Sequence, residues 1–364
     1  MEILQQYYTS FVNKQTGSAG FQVQAMSPGI SAEIQAIISR MVAYRIPIRM
    51  DEQAIGKHPV ALRYYYHDSE RLGILVCSQS SGRDESGRPG NFFAHSVVIP
   101  AEQLTSLPPI LYWHSPFWKK HAYETANIAP LSEFSAEPSW SLIDDMWAFL
   151  ADEARHEAFY KLMSAVVHSA STQRHIIIID TDEHVALWVA AVCNMLPPSY
   201  RPLLSFATYH HDPFQSWFLI TGTPDASWMH GAAEGHLFIL DGQTNKTSEV
   251  ESSDYANLVK RTAYTQEGYK RVLLQHFIEC EKRFPAPTCL DEQLDKIALY
   301  VWLRKHPEAT SLKTQRLDII TTVLSSLEQL PELEEDDWQE LNYWLTMLGN
   351  AREASPQLDI QQAL

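Results

Sequence analysis

The sequence predicts an α+β fold in three parts, and three observations carry it. Residues 1–135 hold short β-branched and aromatic runs with a single amphipathic helix. Residues 136–250 place one continuous apolar strand between helical segments. Residues 251–364 show only three- and four-residue apolar spacing, broken by prolines. The expectation is a mostly β N-terminal domain with one helix, an α/β middle domain and an all-α C-terminal module.

In the first part, Tyr7 to Val12 and Gly20 to Met26 read as strands joined through Lys14 to Ser18. Ser31 precedes a helix whose apolar residues Ile34, Ile37, Ile38, Met41 and Val42 share one face. Ala61 to Tyr66, Leu72 to Gln79 and Phe92 to Ile99 follow as strands, and Pro100 with Pro108-Pro109 ends the run. Between the last two strands, residues 82–91 hold three glycines, a proline, an asparagine and four charges, which predicts a shaped polar loop of the kind that carries function.

In the second part, Trp140 to His168 reads as one or two helices and His175 to Asp180 as a buried strand. Asp182 is placed to cap a helix running to Leu196, which Pro197-Pro198 stops. Leu203 to Tyr209, Trp217 to Thr221 and Leu237 to Leu240 read as further strands. The third part reads as five helices, with Pro285, Pro287, Pro307 and Pro331 in the gaps.

Composition bounds the function. Of 364 residues, 45% are apolar, with 14 Phe, 10 Trp and 16 Tyr, enough for more than one core. The formal charge of −16, from 28 basic against 44 acidic residues, argues against a nucleic-acid or anionic-membrane surface. Four scattered cysteines form no C-x-x-C knuckle and read as reduced thiols. No run approaches the roughly 18 apolar residues that would span a bilayer, so a cytoplasmic chain is expected.

Chemistry-bearing patterns are few. Ile176 to Asp180 with Asp182 and His184 is like a magnesium-holding strand, but no G-x-x-x-x-G-K-[ST] cradle accompanies it. His210 and His211, as neighbours on a strand, are expected to point to opposite faces and not to share a metal, and His230 and His236 read as solvated positions beside a short loop. No cofactor, metal site or G-x-S-x-G elbow is expected. Cys77, His95 and Asp84 leave a cysteine-hydrolase alternative open. Arg83 and Arg88, in a loop rich in backbone amides, suit an anion or partner contact, or else a rigid hairpin in which they pair locally. Tyr112, Trp113, Phe117 and Trp118 form either a docking edge or a strap over their own domain.

The residues Tyr8-Thr9-Ser10, Gly20 to Val23, Met26 to Gly29 and the stretch GRDESGRPGNFFAHSVV at 82–98 together resemble the N-terminal domain of the bacterial GTPase-associated protein family. Met195 to Tyr209, with His211-Asp212-Pro213, is similar to that family's middle domain. The resemblance covers about residues 1–240 and implies a non-catalytic adaptor or regulator. Its implied setting is a bacterial conflict, antiviral or signalling system, with a GTPase-like NTPase and an effector protein as partners. Carried onto this chain, the N-terminal motif rests on Arg83, Asp84, Gly87, Arg88, Gly90, Asn91, Phe93 and His95, with no role attached to any of them. A small-anion or nucleotide sensor at the 82–91 loop remains the other alternative.

Overall fold

The computed structural model describes residues 2–13, 16–104, 107–121, 127–225, 236–262, 266–284, 287, 290, 292–305, 314–330 and 332–354. His230, Gly231 and Cys289 lie outside them. The chain is α+β. Its strands are β1 Leu4–Val12, β2 Ala19–Met26, β3 Ala61–His67, β4 Leu72–Arg83, β5 Pro89–Pro100, β6 His175–Ile179, β7 Phe206–Ala207, β8 Ile220–Thr223, β9 Leu237–Asp241 and β10 Lys246–Thr247. The longer helices are α1 Ala32–Met41, α2 Ser141–Leu150, α3 His156–Val167, α4 Asp182–Met195, α5 Asp254–Thr262, α6 Leu274–Arg283, α7 Glu292–Lys305, α8 Thr314–Glu328 and α9 Glu335–Ala354.

Among the described residues, ten strands join one sheet in the order β10-β9-β6-β8-β7-β3-β4-β5-β1-β2. Strands β9, β6, β8 and β7 are parallel, while β3, β4, β5, β1 and β2 are antiparallel. The two halves meet where Arg63 and Tyr64 of β3 pair antiparallel with Ala207 and Phe206 of β7. Residues 1–135 and 136–250 therefore share one sheet. Period-two alternation splits the side chains between its faces. Leu62, Tyr64, Leu75, Cys77, Val97 and Ile99 enter the larger core, which continues through α2, α3 and α4 into the C-terminal helices. Ala61, Ile74, Val76, Ala94 and Val98 face α1, whose Ile34, Ile38 and Met41 cover them.

Local chemistry explains most boundaries. Ser31 caps α1 by accepting the Ile34 N–H at 3.2 Å. Thr181, one residue before the expected Asp182, caps α4 by accepting from His184; Asp182 instead occupies the first turn. The Leu203 to Tyr209 strand is a correction: residues 198–203 form a 3-10 turn and only Phe206–Ala207 pair. The reason is that the turn reaches Leu203 and the Leu204 N–H still bonds back to the Arg201 carbonyl at 3.3 Å, so the chain extends only after it. The Trp217 to Thr221 strand is also displaced, beginning at Ile220.

Candidate functional site

The 82–91 segment is far more regular than a loop. Strand pairing runs through Gly82 opposite Asn91 and Arg83 opposite Pro89, leaving only Asp84 to Arg88 as the turn. Gly82 makes this possible: its φ is +85°, and a Cβ there would lie 2.6 Å from the Ile55 side chain. Asp84 organises the tip. Its Oδ1 accepts the backbone N–H of Ser86 and Arg88 at 2.9 and 3.0 Å, and its Oδ2 accepts the Ser10 hydroxyl at 3.2 Å and the Arg88 Nε at 2.7 Å. Burial opposes ionisation of Asp84, but these bonds outweigh it and hold the carboxyl below its ordinary range. Arg83 turns back to the Gly87 carbonyl at 2.7 Å. Both arginines are thus engaged within the hairpin, and their guanidinium groups do not converge on a shared cradle. Asn91 fastens the base, its Oδ1 accepting from Ser10 N–H at 3.1 Å and Phe92 N–H at 2.9 Å.

The hydrolase alternative fails on burial. Cys77 and His95 are directly opposed on β4 and β5 and both lie in the core. Burial pushes the Cys77 thiol up to about 12, against the smaller pull of Arg63 and Lys120. Burial and the Lys119 charge push His95 down to about 3. A nucleophilic thiolate needs the opposite pair of shifts. His95 instead holds the sheet together. Its Nε2 meets the Gln5 Oε1 at 3.2 Å, its Nδ1 accepts the Lys119 N–H at 3.3 Å, and its ring lies against Phe117 and Trp118.

The same contacts correct the docking-edge expectation. Tyr112, Trp113 and Trp118 are buried and Phe117 is half-buried, so the segment is a strap over its own sheet. The Trp118 indole closes it by donating to the Tyr112 carbonyl at 2.7 Å.

At the carboxyl ends of the parallel strands, where doubly wound sheets open their ligand crevice, the space beside β6 is filled. A Cβ on Gly242, just after β9, would lie 2.1 Å from the Asp180 Oδ2. Asp180 is buried; its Oδ1 meets His184 Nδ1 at 2.9 Å, and its Oδ2 has no partner among the described residues. Asp182 points elsewhere, accepting the Val60 N–H at 2.8 Å. Asp180, Asp182 and His184 therefore do not gather around one ion. His210 and His211 stack at 4.9 Å rather than facing apart, because β7 has already ended at Ala207. Burial holds His210 down to about 3, and its Nδ1 accepts the Asp212 N–H. Among the described residues, Glu33, His67 and Glu70 alone bring three ligand atoms within reach of one ion, and the Ser69 hydroxyl already lies 3.0 Å from His67 Nε2.

A polar centre that the sequence reading missed lies beneath the α1–β3 connection. Arg63 is 1% exposed and faces α1 from the middle of the sheet. Its Nη1 donates to the Met41 carbonyl at 2.8 Å and the Ser78 hydroxyl at 3.1 Å; its Nη2 donates to the carbonyls of Ala43 at 2.8 Å and Tyr209 at 3.3 Å. Burial lowers its pKa to about 10, so it remains cationic at the C-terminal end of α1, where a helix dipole favours positive charge. Tyr44 donates to Pro59 O at 2.7 Å and Tyr209 to Arg45 O at 2.6 Å. Burial raises Asp182 to about 7, its Val60 bond pulling the other way. Together these groups pin residues 43–60 onto the sheet. The signal available in the sequence was one arginine within the apolar alternation of Ala61 to Tyr66. Above this centre, a cavity of about 90 Å³ is lined by Arg45, Tyr209, His211, Thr223 and Asp225, among others.

With this geometry in place, comparison with known sequences is informative. Residues 2–134 match the family described as GTPase-associated protein 1, N-terminal domain type 2, and residues 146–241 match GTPase-associated protein 1, middle domain. The chain is also 28% identical over 154 residues to SaeB, a proposed ESX-1 scaffolding and assembly protein of Mycolicibacterium smegmatis strain ATCC 700084 / mc(2)155. It is 26% identical over 154 residues to the SaeB of strain MKD8. Each alignment covers 40% of this chain and 18% of the relative, so the chain spans less than a fifth of those proteins' length. Among the described residues, no helix is long and apolar enough to cross a membrane.

Proposed function

We propose that this chain, which belongs to the GTPase-associated protein 1 family through its N-terminal and middle domains, is a non-catalytic adaptor. In this reading it binds a GTPase-like NTPase within a bacterial conflict or signalling system and presents it to an effector protein. The observation that carries the reading is the pairing of β3 with β7, which welds the two family domains into one continuous sheet. A sheet shared by both domains, with helices packed on it, is a rigid platform that can hold two partners in fixed geometry. The scaffolding role proposed for the SaeB relatives accords with this. So does the state of the reactive groups: Cys77 and His95 are buried, and the arginines of the hairpin tip are engaged by their own turn.

The exposed hairpin tip, residues 85–88, is the surface we assign to the NTPase, with the outer face of Arg88, paired to Asp84, as its polar contact. The Arg88 side chain is 58% exposed even while paired. Co-purification of the tagged chain from its own cell, with mass spectrometry for a GTPase-like NTPase in the complex and a hydrolysis assay on it, tests this. Arg88→Ala is expected to weaken the complex. If Arg88→Ala instead left binding intact but removed a stimulated hydrolysis rate, the arginine would be acting on the nucleotide.

A further inference from the structure

The sheet has two ends, and the protein treats them differently. The β10 end is only two residues long and carries the exposed Lys246, both standard protections against pairing with another chain. The β2 end is eight residues long, AGFQVQAM, with no charge and no proline. Part of that edge is protected. Val23 pairs with Tyr8 and Ala25 with Tyr7, so Gln24 is an extra bulged residue, and the Met26 carbonyl accepts the Ile128 N–H at 3.3 Å. Ala19 to Val23 keep an unbroken register with β1 on one side, although Gly20 departs from extended backbone at a φ of +127°; among the described residues no strand lies on the other side. Phe21, at the centre of this stretch, is 47% exposed and stacks on Phe92 at 4.6 Å.

The geometry points to a homodimer in which the β2 edges of two copies pair antiparallel across a two-fold axis, extending each ten-stranded sheet into the other. The stretch is self-complementary. With the axis at Phe21, each Phe21 lies opposite its counterpart and each Ala19 opposite Val23 of the second copy, so every pair is uncharged and Phe21 and Val23 stand on one face. Cross-strand aromatic pairs favour such a ladder, whereas like charges directly opposite one another would oppose it. A chain of net charge −16 can approach its own copy most easily through a stretch without charge. The interface is small, so the dimer is a dynamic one, with a dissociation constant on the order of 1–100 μM. For an adaptor it doubles the number of binding platforms, but the inference rests on the strand edge alone and stands whatever the partner.

Sedimentation velocity on the full chain from about 1 to 100 μM tests it. The expected result is a rise from 41.5 kDa toward twice that mass, strengthened by salt because the bulk repulsion is screened. Phe21→Lys and Ala19→Lys are each expected to raise the dissociation constant at least about tenfold. Ala19 is exposed, so its replacement leaves the fold intact and keeps the test valid should Phe21→Lys disturb the packing on Phe92. A chain that stays monomeric at 100 μM, or a dimer unmoved by Ala19→Lys, would overturn the proposal.

Discussion

One carboxylate oxygen, Asp84 Oδ2, receives both the Nε and the Nη2 of Arg88 at 2.7 Å. The turn therefore depends on the acid more than on the base, since Asp84 also holds two backbone N–H groups and Ser10. Asp84→Ala is expected to speed amide exchange at Ser86 and Arg88, while Arg88→Ala leaves both amides protected. The carboxyl is held below its ordinary range, so its contribution is present above about pH 4 and fades as pH falls through the folded value. Protection factors at the tip, taken relative to the intrinsic exchange rate at each pH, should fall on acidification in the native protein and stay unchanged in Asp84→Ala.

Arg63 is the cation on which the α1–β3 connection closes. Arg63→Met removes donors from the carbonyls of Met41, Ala43 and Tyr209 and is expected to cost about 2–5 kcal/mol in denaturant unfolding. Lysine should not restore the loss, because a single ammonium lacks the planar fork that spans Met41 and Ala43.

Asp182 gives a pH signature of opposite sign to that of Asp84. Its folded pKa is raised to about 7, so the folded state favours the protonated form and stability declines as pH rises from about 4 to about 7. Asp182→Asn keeps an oxygen for the Val60 N–H without the charge. The variant should gain melting temperature relative to the native chain between pH 4.5 and pH 8, and a constant difference would contradict the assignment.

Much of the architecture was readable from local pattern. Ser31 before the Ile34/Ile38 face and the four-isoleucine strand ahead of Thr181 each announce an element through neighbouring residues. The strap was not readable, because Tyr112, Trp113, Phe117 and Trp118 have the same composition whether they cover their own sheet or a partner's. His95, which decides between the two, is 17 or more residues away in sequence. The hairpin was longer than expected because Gly82 adopts positive φ and lets the ladder continue past a polar, glycine-rich stretch. Arg63 stood in plain view, but the carbonyls that justify it come from residues 41, 43 and 209.

Cys77 should be inert. With its thiol buried and pushed up to about 12, mapping by mass spectrometry is expected to find no alkylation of Cys77 by iodoacetamide in the native protein at pH 8, and full alkylation in denaturant. Rapid native labelling at Cys77 would restore the hydrolase alternative.

The adaptor reading is tested most directly by titrating the chain into a candidate GTPase-like NTPase from the same cell, held in its GTP and GDP states in turn. Binding is expected to differ by about tenfold or more between the two states, some 1.4 kcal/mol, and to weaken with Arg88→Ala. Absence of binding in either state at about 100 μM, with both proteins folded, would contradict it.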